Sequence, residues 1–171
     1  LEEKKFQFPI VIKPDVGLKG IEVTKVYKET DAISMLNNVD ERGAIVQEYI
    51  DLAKEYSVLY FKYLDGSYGL SSLIEKKYPV VTGDGNKELH TLIDEYPHAY
   101  LNKKEVKKMH SNRVLGKDEN LVLHYIGNYS RGATFHSMQQ EIDEDLVKAI
   151  HACIGDIEGI SFGRLDIKAS D

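Results

Sequence analysis

Three short stretches hold residues whose types and spacing could do chemistry. In residues 12–23, IKPDVGLKGIEV, Lys13 ends an apolar approach, and Gly17 and Gly20 flank a second cation, Lys19. A glycine-rich turn between strands lets backbone N–H groups approach phosphate oxygens with no Cβ in the way, and a lysine at the strand end can reach the same oxygens. The letters suit a plain hairpin with a solvated turn equally well, and the Walker pattern G-x-x-x-x-G-K-[ST] is absent. In residues 46–58, VQEYIDLAKEYSV, Glu48 precedes Glu55 by seven positions with apolar residues between. Such a hinge can hold a purine, one carboxylate accepting from the amino group and the other from ribose hydroxyls. Two solvated glutamates are the plainer alternative. In residues 159–168, GISFGRLDIK, Arg164 and Asp166 stand two apart, and strand alternation sends both to one face. That pair is either a structural ion pair or a phosphate clamp beside a metal ligand. Magnesium bound with a nucleotide usually takes one or two carboxylates plus phosphate oxygens.

The elements that must position these residues read as short strands with a few helices. Residues 8–13 (FPIVIK) form a strand by their β-branched content, and 21–27 its partner across the glycine loop. Thr30 or Asp31 caps a helix whose Ile33, Leu36 and Val39 recur at helical spacing. A strand follows at 44–50. Segments 55–63 and 67–76 flank Asp65-Gly66, a strong hairpin signal. Asn86 opens a short helix carrying Leu89, Leu92 and Ile93. Residues 96–120 are polar and irregular, with Lys103, Lys104, Lys107 and Lys108 as a solvated helix face. A strand is expected at 121–126. Asp143, Glu144 and Asp145 open a helix with apolar residues at 146, 147, 150, 153 and 154, where their charges suit the N-terminal dipole. The last strand is 161–168. Strands outnumber helices and several pair as hairpins, so the class is α+β with largely antiparallel sheets.

Composition excludes other functions. The 22 Lys and Arg against 28 Asp and Glu leave a net charge of −6, the wrong sign for general nucleic-acid binding. No apolar run approaches the roughly 20 residues that span a bilayer. Cys153, the only cysteine, lies among Leu146, Val147, Ile150 and Ile154, which predicts a buried thiol. The six histidines (His90, His98, His110, His124, His136, His151) show no metal-ligand spacing. The chain opens on Leu1 without a leader-like run, and the expectation is an excised piece of a cytoplasmic protein.

In this order, KPDVGLKG, QEYI…KEYSV and GRLDIK resemble the ATP-grasp superfamily, specifically its carboxylate–amine ligase branch, which holds the D-alanine–D-alanine ligases, glutathione-type ligases and cyanophycin synthetases. The GDG turn of residues 78–93, YPVVTGDGNKELHTLI, adds to the likeness, which covers nearly the whole chain. The resemblance implies an ATP-grasp fold: two α+β subdomains, about residues 1–50 and 51–171, sandwiching the nucleotide and truncated at both ends. It implies that Lys13 holds the α- and β-phosphates and that Val16, Gly17, Leu18, Lys19 and Gly20 form the flap over the triphosphate. Glu48, Tyr49 and Ile50 would line the adenine hinge, and Glu55, facing an open cleft with few packing contacts, would bind the ribose. Arg164 would steady the transferring phosphoryl group, and Asp166 would be a magnesium ligand. NYSRGATF, residues 128–135, looks like the stretch that closes over substrate, which makes Arg131 a catalytic candidate.

Two departures stand out. Ala53 occupies a position where the family usually has glycine, and the family's further Glu and Asn metal ligands would lie beyond Asp171. The implied activity is ATP-dependent amide-bond formation between a small carboxylate and an amine, such as amino acids or peptides, with ATP and Mg²⁺ as cofactors. No nucleic acid or membrane partner is expected, and a homodimer is the assembly considered. The rival expectation is a non-catalytic ATP-binding or regulatory module of the same fold, and a third is a kinase or carboxylase on it.

Overall fold

The computed structural model describes residues 6–16, 22–39, 41 and 43–170. The chain separates into two compact units, Leu1–Asp51 and Leu52–Asp171.

The first unit holds a three-stranded antiparallel sheet of β1 (Ile10–Pro14), β2 (Thr24–Val26) and β3 (Ala44–Glu48), in the order β2-β1-β3. Alternation along β1 buries Ile10 and Ile12, which join Val26, Ala32, Met35, Ala44 and Val46 in one apolar cluster. Helix α1 (Glu29–Leu36) covers that face. It starts earlier than the sequence suggests: Lys28 is the N-cap residue without a side-chain cap, and Thr30 and Asp31 fall inside the first turn. Its buried contacts also differ from the expected stripe. Ala32 is buried, while Ile33, Leu36 and Val39 are exposed within this unit.

The second unit is built on a four-stranded antiparallel sheet, in the order β8-β5-β4-β9. Its strands are β4 (Lys54–Lys62), β5 (Tyr68–Lys77), β8 (Thr134–Ser137) and β9 (Phe162–Ala169). The β4–β5 hairpin turns at Asp65-Gly66, where Asp65 Oδ1 accepts from the Ser67 N–H at 2.9 Å. Gly66 adopts φ +86°, a conformation costly for a residue with a Cβ. A register shift between Leu59 and Tyr60 marks a bulge in this ladder.

One face of the sheet is apolar. Val58, Tyr60, Leu70 and Leu73 meet Ile150 of α4 (Glu144–Ile154), with Leu146, Val147, Ile154, Leu165 and Ile167 around them. Asp143 caps α4 by accepting from the Leu146 N–H at 2.8 Å. The Tyr60 hydroxyl meets His151 Nδ1 at 2.8 Å and ties the helix to the strand. Cys153, expected buried, is exposed, because Leu146, Val147, Ile150 and Ile154 already make up the buried stripe.

A second cluster of Val81, Leu89, Ile93, Leu101, Val106, Leu115 and Leu123 lies under a smaller layer. Here β6 (Val80–Thr82) pairs with β7 (Asn120–Val122), beside α2 (Leu89–Glu95) and α3 (Lys103–Met109). The expected strand 121–126 is thus only its first part, and β6 and β8 had no counterpart in the sequence reading. The α+β class with antiparallel sheets is as expected.

Candidate functional site

The polar face of the β8-β5-β4-β9 sheet gathers a connected cluster of charged side chains. The register forms two rungs across the strands. Phe135 of β8 pairs with Lys76 of β5, Lys76 with Glu55 of β4, and Glu55 with Lys168 of β9. The next rung runs Ser137, Ile74, Ser57 and Asp166, with Arg164 one step further along β9 opposite Leu59. Residues paired in register or two apart share a face, so these side chains stand together opposite the α4 layer.

Lys76 is the hub. Its ammonium donates to Glu55 Oε1 at 2.9 Å and lies 3.0 Å from Asp166 Oδ1, while its side chain is only 7% exposed. Glu55 also accepts from the Tyr78 hydroxyl at 2.5 Å, and Tyr78 in turn accepts from Lys168 Nζ at 3.0 Å. Asp166 accepts from Ser57 Oγ at 2.9 Å, and Arg164 Nε stands 3.6 Å away. Burial alone would raise the Asp166 carboxyl. The ammonium of Lys76, the hydroxyl of Ser57 and the guanidinium of Arg164 outweigh it and hold the group below the usual carboxylate range. Arg164 itself is 70% exposed at its side chain, a cation reaching into open space.

The 126–129 segment closes one side of a cleft of about 390 Å³ over this face, with Ile126, Gly127, Asn128 and Tyr129 in its wall. Gly127 is there for close approach, since a Cβ on it would fall 2.7 Å from Glu55 Oε1. Asn128 Oδ1 accepts from the N–H and the hydroxyl of Ser130, shaping a 3-10 turn over Tyr129–Arg131. Arg131 turns away from the cleft: its guanidinium pairs with Glu105 of α3 at 2.5 Å and is 17% exposed.

The structure therefore brings Glu55, Arg164 and Asp166 into one cleft and leaves Arg131 outside its wall. It also places Glu55 differently from expectation, since the carboxylate is 15% exposed and held by a lysine and a tyrosine.

The sequence reading missed Lys76, Ser57, Tyr78 and Lys168. Lys76 had a signal, because a hairpin centred on Asp65-Gly66 sets it opposite Glu55. Glu55 and Asp166 converge on the Lys76 ammonium, and the Ser57 hydroxyl donates to Asp166. Among the described residues no group of three or more His, Cys, Asp or Glu is gathered for a metal.

In the first unit, Lys13 pairs with Ile45 and belongs to the wall of a cavity of about 360 Å³, with Met35, Asn38, Gly43 and Ala44. Glu48 is exposed, pairs with Ile10 and accepts from the Gln7 N–H at 3.3 Å. The Tyr49 N–H donates to the Pro9 carbonyl at 3.0 Å, and Lys25 Nζ sits 3.3 Å from its ring centroid. Ile50 and Val16 are exposed. Gly17, Leu18, Lys19 and Gly20, the expected flap, lie outside the described residues.

No curated protein matches this sequence. A solved structure similar to it is a bifunctional glutathione synthetase from Pasteurella multocida, at 19% identity and a TM-score of 0.45. That match covers 95% of this chain and 24% of the other, so the chain spans about a quarter of that relative's length. Residues 1–63 match the RimK-like ATP-grasp domain family. That family match covers 63 of the 171 residues and reaches through β4, the first strand of the candidate site.

Proposed function

We propose that the parent protein is an ATP-dependent carboxylate–amine ligase and that the polar face of the second unit is where its phosphates and metal are held. The γ-phosphoryl group of ATP passes to a carboxylate oxygen, giving an acyl phosphate and ADP. An amine nitrogen then attacks the acyl carbon, the carbon–oxygen bond to phosphate breaks, and the nitrogen loses a proton. The products are an amide and inorganic phosphate. The observation that carries this reading is the meeting of Lys76, Arg164, Glu55 and Asp166 in one cleft. Phosphoryl transfer requires little covalent chemistry from the protein and depends on fixed charges around the moving group.

Arg164, the most exposed cation of the cluster, is placed to reach phosphate oxygens as negative charge shifts onto them. Ser57 holds Asp166 by a hydrogen bond, and Gly127 lets its segment lie close against Glu55. Asp166 would hold Mg²⁺, which when bound supplies neutralisation of the phosphate charge. Lys13, Val16 and the loop through Gly20, Glu48, Tyr49 and Ile50 are assigned to the nucleotide by resemblance, and Glu55 to the ribose. Substrates are a small carboxylate and a small amine.

Calorimetry with ATP, ADP and adenosine tests the reading. Arg164→Ala and Lys13→Ala should each weaken ATP binding by about tenfold or more, the scale of one charge-assisted hydrogen bond, and leave adenosine nearly unaffected. Equal ATP affinity in the parent and both variants would remove the phosphate assignment.

A further inference from the structure

The cleft over the polar face has two kinds of lining. Its charged residues share it with Tyr129 and Phe135, whose rings remain about half open, at 49% and 45% exposure. The two ring planes are within 26° of parallel, with centroids 6.3 Å apart. Two more rings brace Tyr129: Tyr100 lies 5.0 Å from it, and His98 meets it edge-on at 4.8 Å. The hydrogen bonds between Asn128 and Ser130 fix the turn that carries it. A ring held by its neighbours yet left open on one side is pre-organised for a partner, because little freedom remains to be lost on binding.

Phosphate has no use for such a wall. An aromatic face is the negative end of the ring's quadrupole, so an anion gains nothing there, whereas a second ring gains by offset stacking or an edge-on contact. The wall therefore suits the organic part of a ligand. Register sets the scale. Phe135 is on β8 and Arg164 on β9, three strand spacings apart, or about 14 Å at about 4.8 Å each. Both line one cleft, so a single small ligand touches both sides only if a short chain joins its ring to its charged group. Arg164, largely exposed, offers the anionic end a cation.

We propose that Tyr129 and Phe135 form an aromatic-selective subsite, and that the carboxylate substrate of this cleft carries a flat ring a short chain away from the group that reacts near Arg164. The inference rests on the proposed function of the cleft and adds its substrate class. Tyr100 and His98 are positioning residues that act through Tyr129.

The probes are 3-phenylpropanoate and 3-cyclohexylpropanoate, equal in charge and chain length, one with a flat ring and one with a puckered ring. Binding is read by calorimetry and by NMR shifts of the Tyr129 and Phe135 ring protons, with no turnover required. The puckered acid carries more apolar surface, so a wall that is merely greasy prefers it. An aromatic subsite should prefer the flat acid by about three- to tenfold, the range of one aromatic pair, and both rings should shift. Phe135→Leu and Tyr129→Leu should each bring that ratio to about one or below. In the unaltered chain, where folding of a variant is not at issue, no binding, no preference or the reverse preference would overturn the proposal.

Adenosine separates a substrate ring from a nucleobase. It should leave the Tyr129 and Phe135 signals in place, and displacement of 3-phenylpropanoate by adenosine would give the wall to the nucleobase and refute the subsite. Phosphate release from ATP by the parent protein keeps the two readings apart. Flat-acid preference without phosphate release for any acid and amine would count against the ligase reading and leave the subsite standing. Release with aliphatic acids but no flat-acid preference would sink the subsite alone.

Discussion

Replacing Glu55 by glutamine should destabilise the second unit, although the residue lines a cleft. The amide is isosteric but has one acceptor where the carboxylate has two, so its oxygen can keep the Lys76 bond while the Tyr78 hydroxyl must turn to accept from the amide N–H. Hydrogen bonds to a charged group contribute about 1.5–3 kcal/mol and neutral ones about 0.5–1.5, a difference near 1 kcal/mol for each bond. Two bonds are affected, from Lys76 at 2.9 Å and from Tyr78 at 2.5 Å, which gives a loss of about 2 kcal/mol. The ceiling is the roughly 3–5 kcal/mol of breaking a fully buried pair, and Asp166, 3.0 Å from the same ammonium, keeps the cost below it.

Native-state hydrogen exchange separates this from any effect on the first unit. Amides of β4, β5 and β9 should lose about 30-fold in protection, while those of β1 and β3 stay as controls. In a double-mutant cycle, Lys76→Met added to Glu55→Gln should cost far less than the sum of the two single changes, since each already removes the shared interaction. Protection in β4 unchanged within a factor of about two would mean the ion pair is not formed in solution and that Lys76 is not the hub of this face.

Gly127→Ala should cost about 1–3 kcal/mol in urea denaturation, because the added methyl meets the Glu55 carboxylate at 2.7–2.8 Å and that carboxylate is held on its other side. Combining it with Glu55→Ala should be clearly less than additive. His124 carries a pH dependence: burial, with Arg131 nearby, depresses its imidazole, and its Nδ1 accepts from the Ile126 N–H at 3.2 Å. The unfolded chain takes up a proton near the ordinary imidazole value of about 6.5 while the folded chain does not, so stability present above that value is lost as pH falls toward the folded value. The slope is at most about 1.4 kcal/mol per pH unit, and thermal unfolding between about pH 7.5 and 5.5 should show it in the parent and far less in His124→Asn.

Much of this site could be read from the letters because strand parity is local. Arg164 and Asp166 two apart, and a hairpin signalled by Asp65-Gly66, are properties of short windows and survive folding unchanged. Lys76 needed one more step, pairing across that hairpin. What could not be read depended on distant partners. Strand β8, four residues long, exists because β5 offers it an edge, and nothing in Thr134–Ser137 announces that edge. Arg131 looked free in NYSRGATF because Glu105, its partner, is 26 positions away on another element. Glu55 looked free for the same reason. Cys153 shows the limit of helical spacing, since an apolar arc wider than the surface it meets leaves one member outside. The match to the RimK-like family covers residues 1–63, so most of the polar face, from Lys76 onward, rests on register and distances alone.

The alternation along β4 has a consequence for how this segment can change. Its nine residues serve two masters, with Glu55 and Ser57 lining the cleft and Tyr56, Val58 and Tyr60 answerable to the apolar layer under α4. Substitutions drawn from opposite faces share no partners and should combine independently, whereas those within one face should not. The polar track could then be rewritten while the apolar track goes on holding the helix. An insertion of a single residue in the strand would scramble both tracks at once, because beyond it each cleft-facing side chain would change places with a core side chain. Point substitution is therefore the open route for altering this cleft, and length change is the closed one.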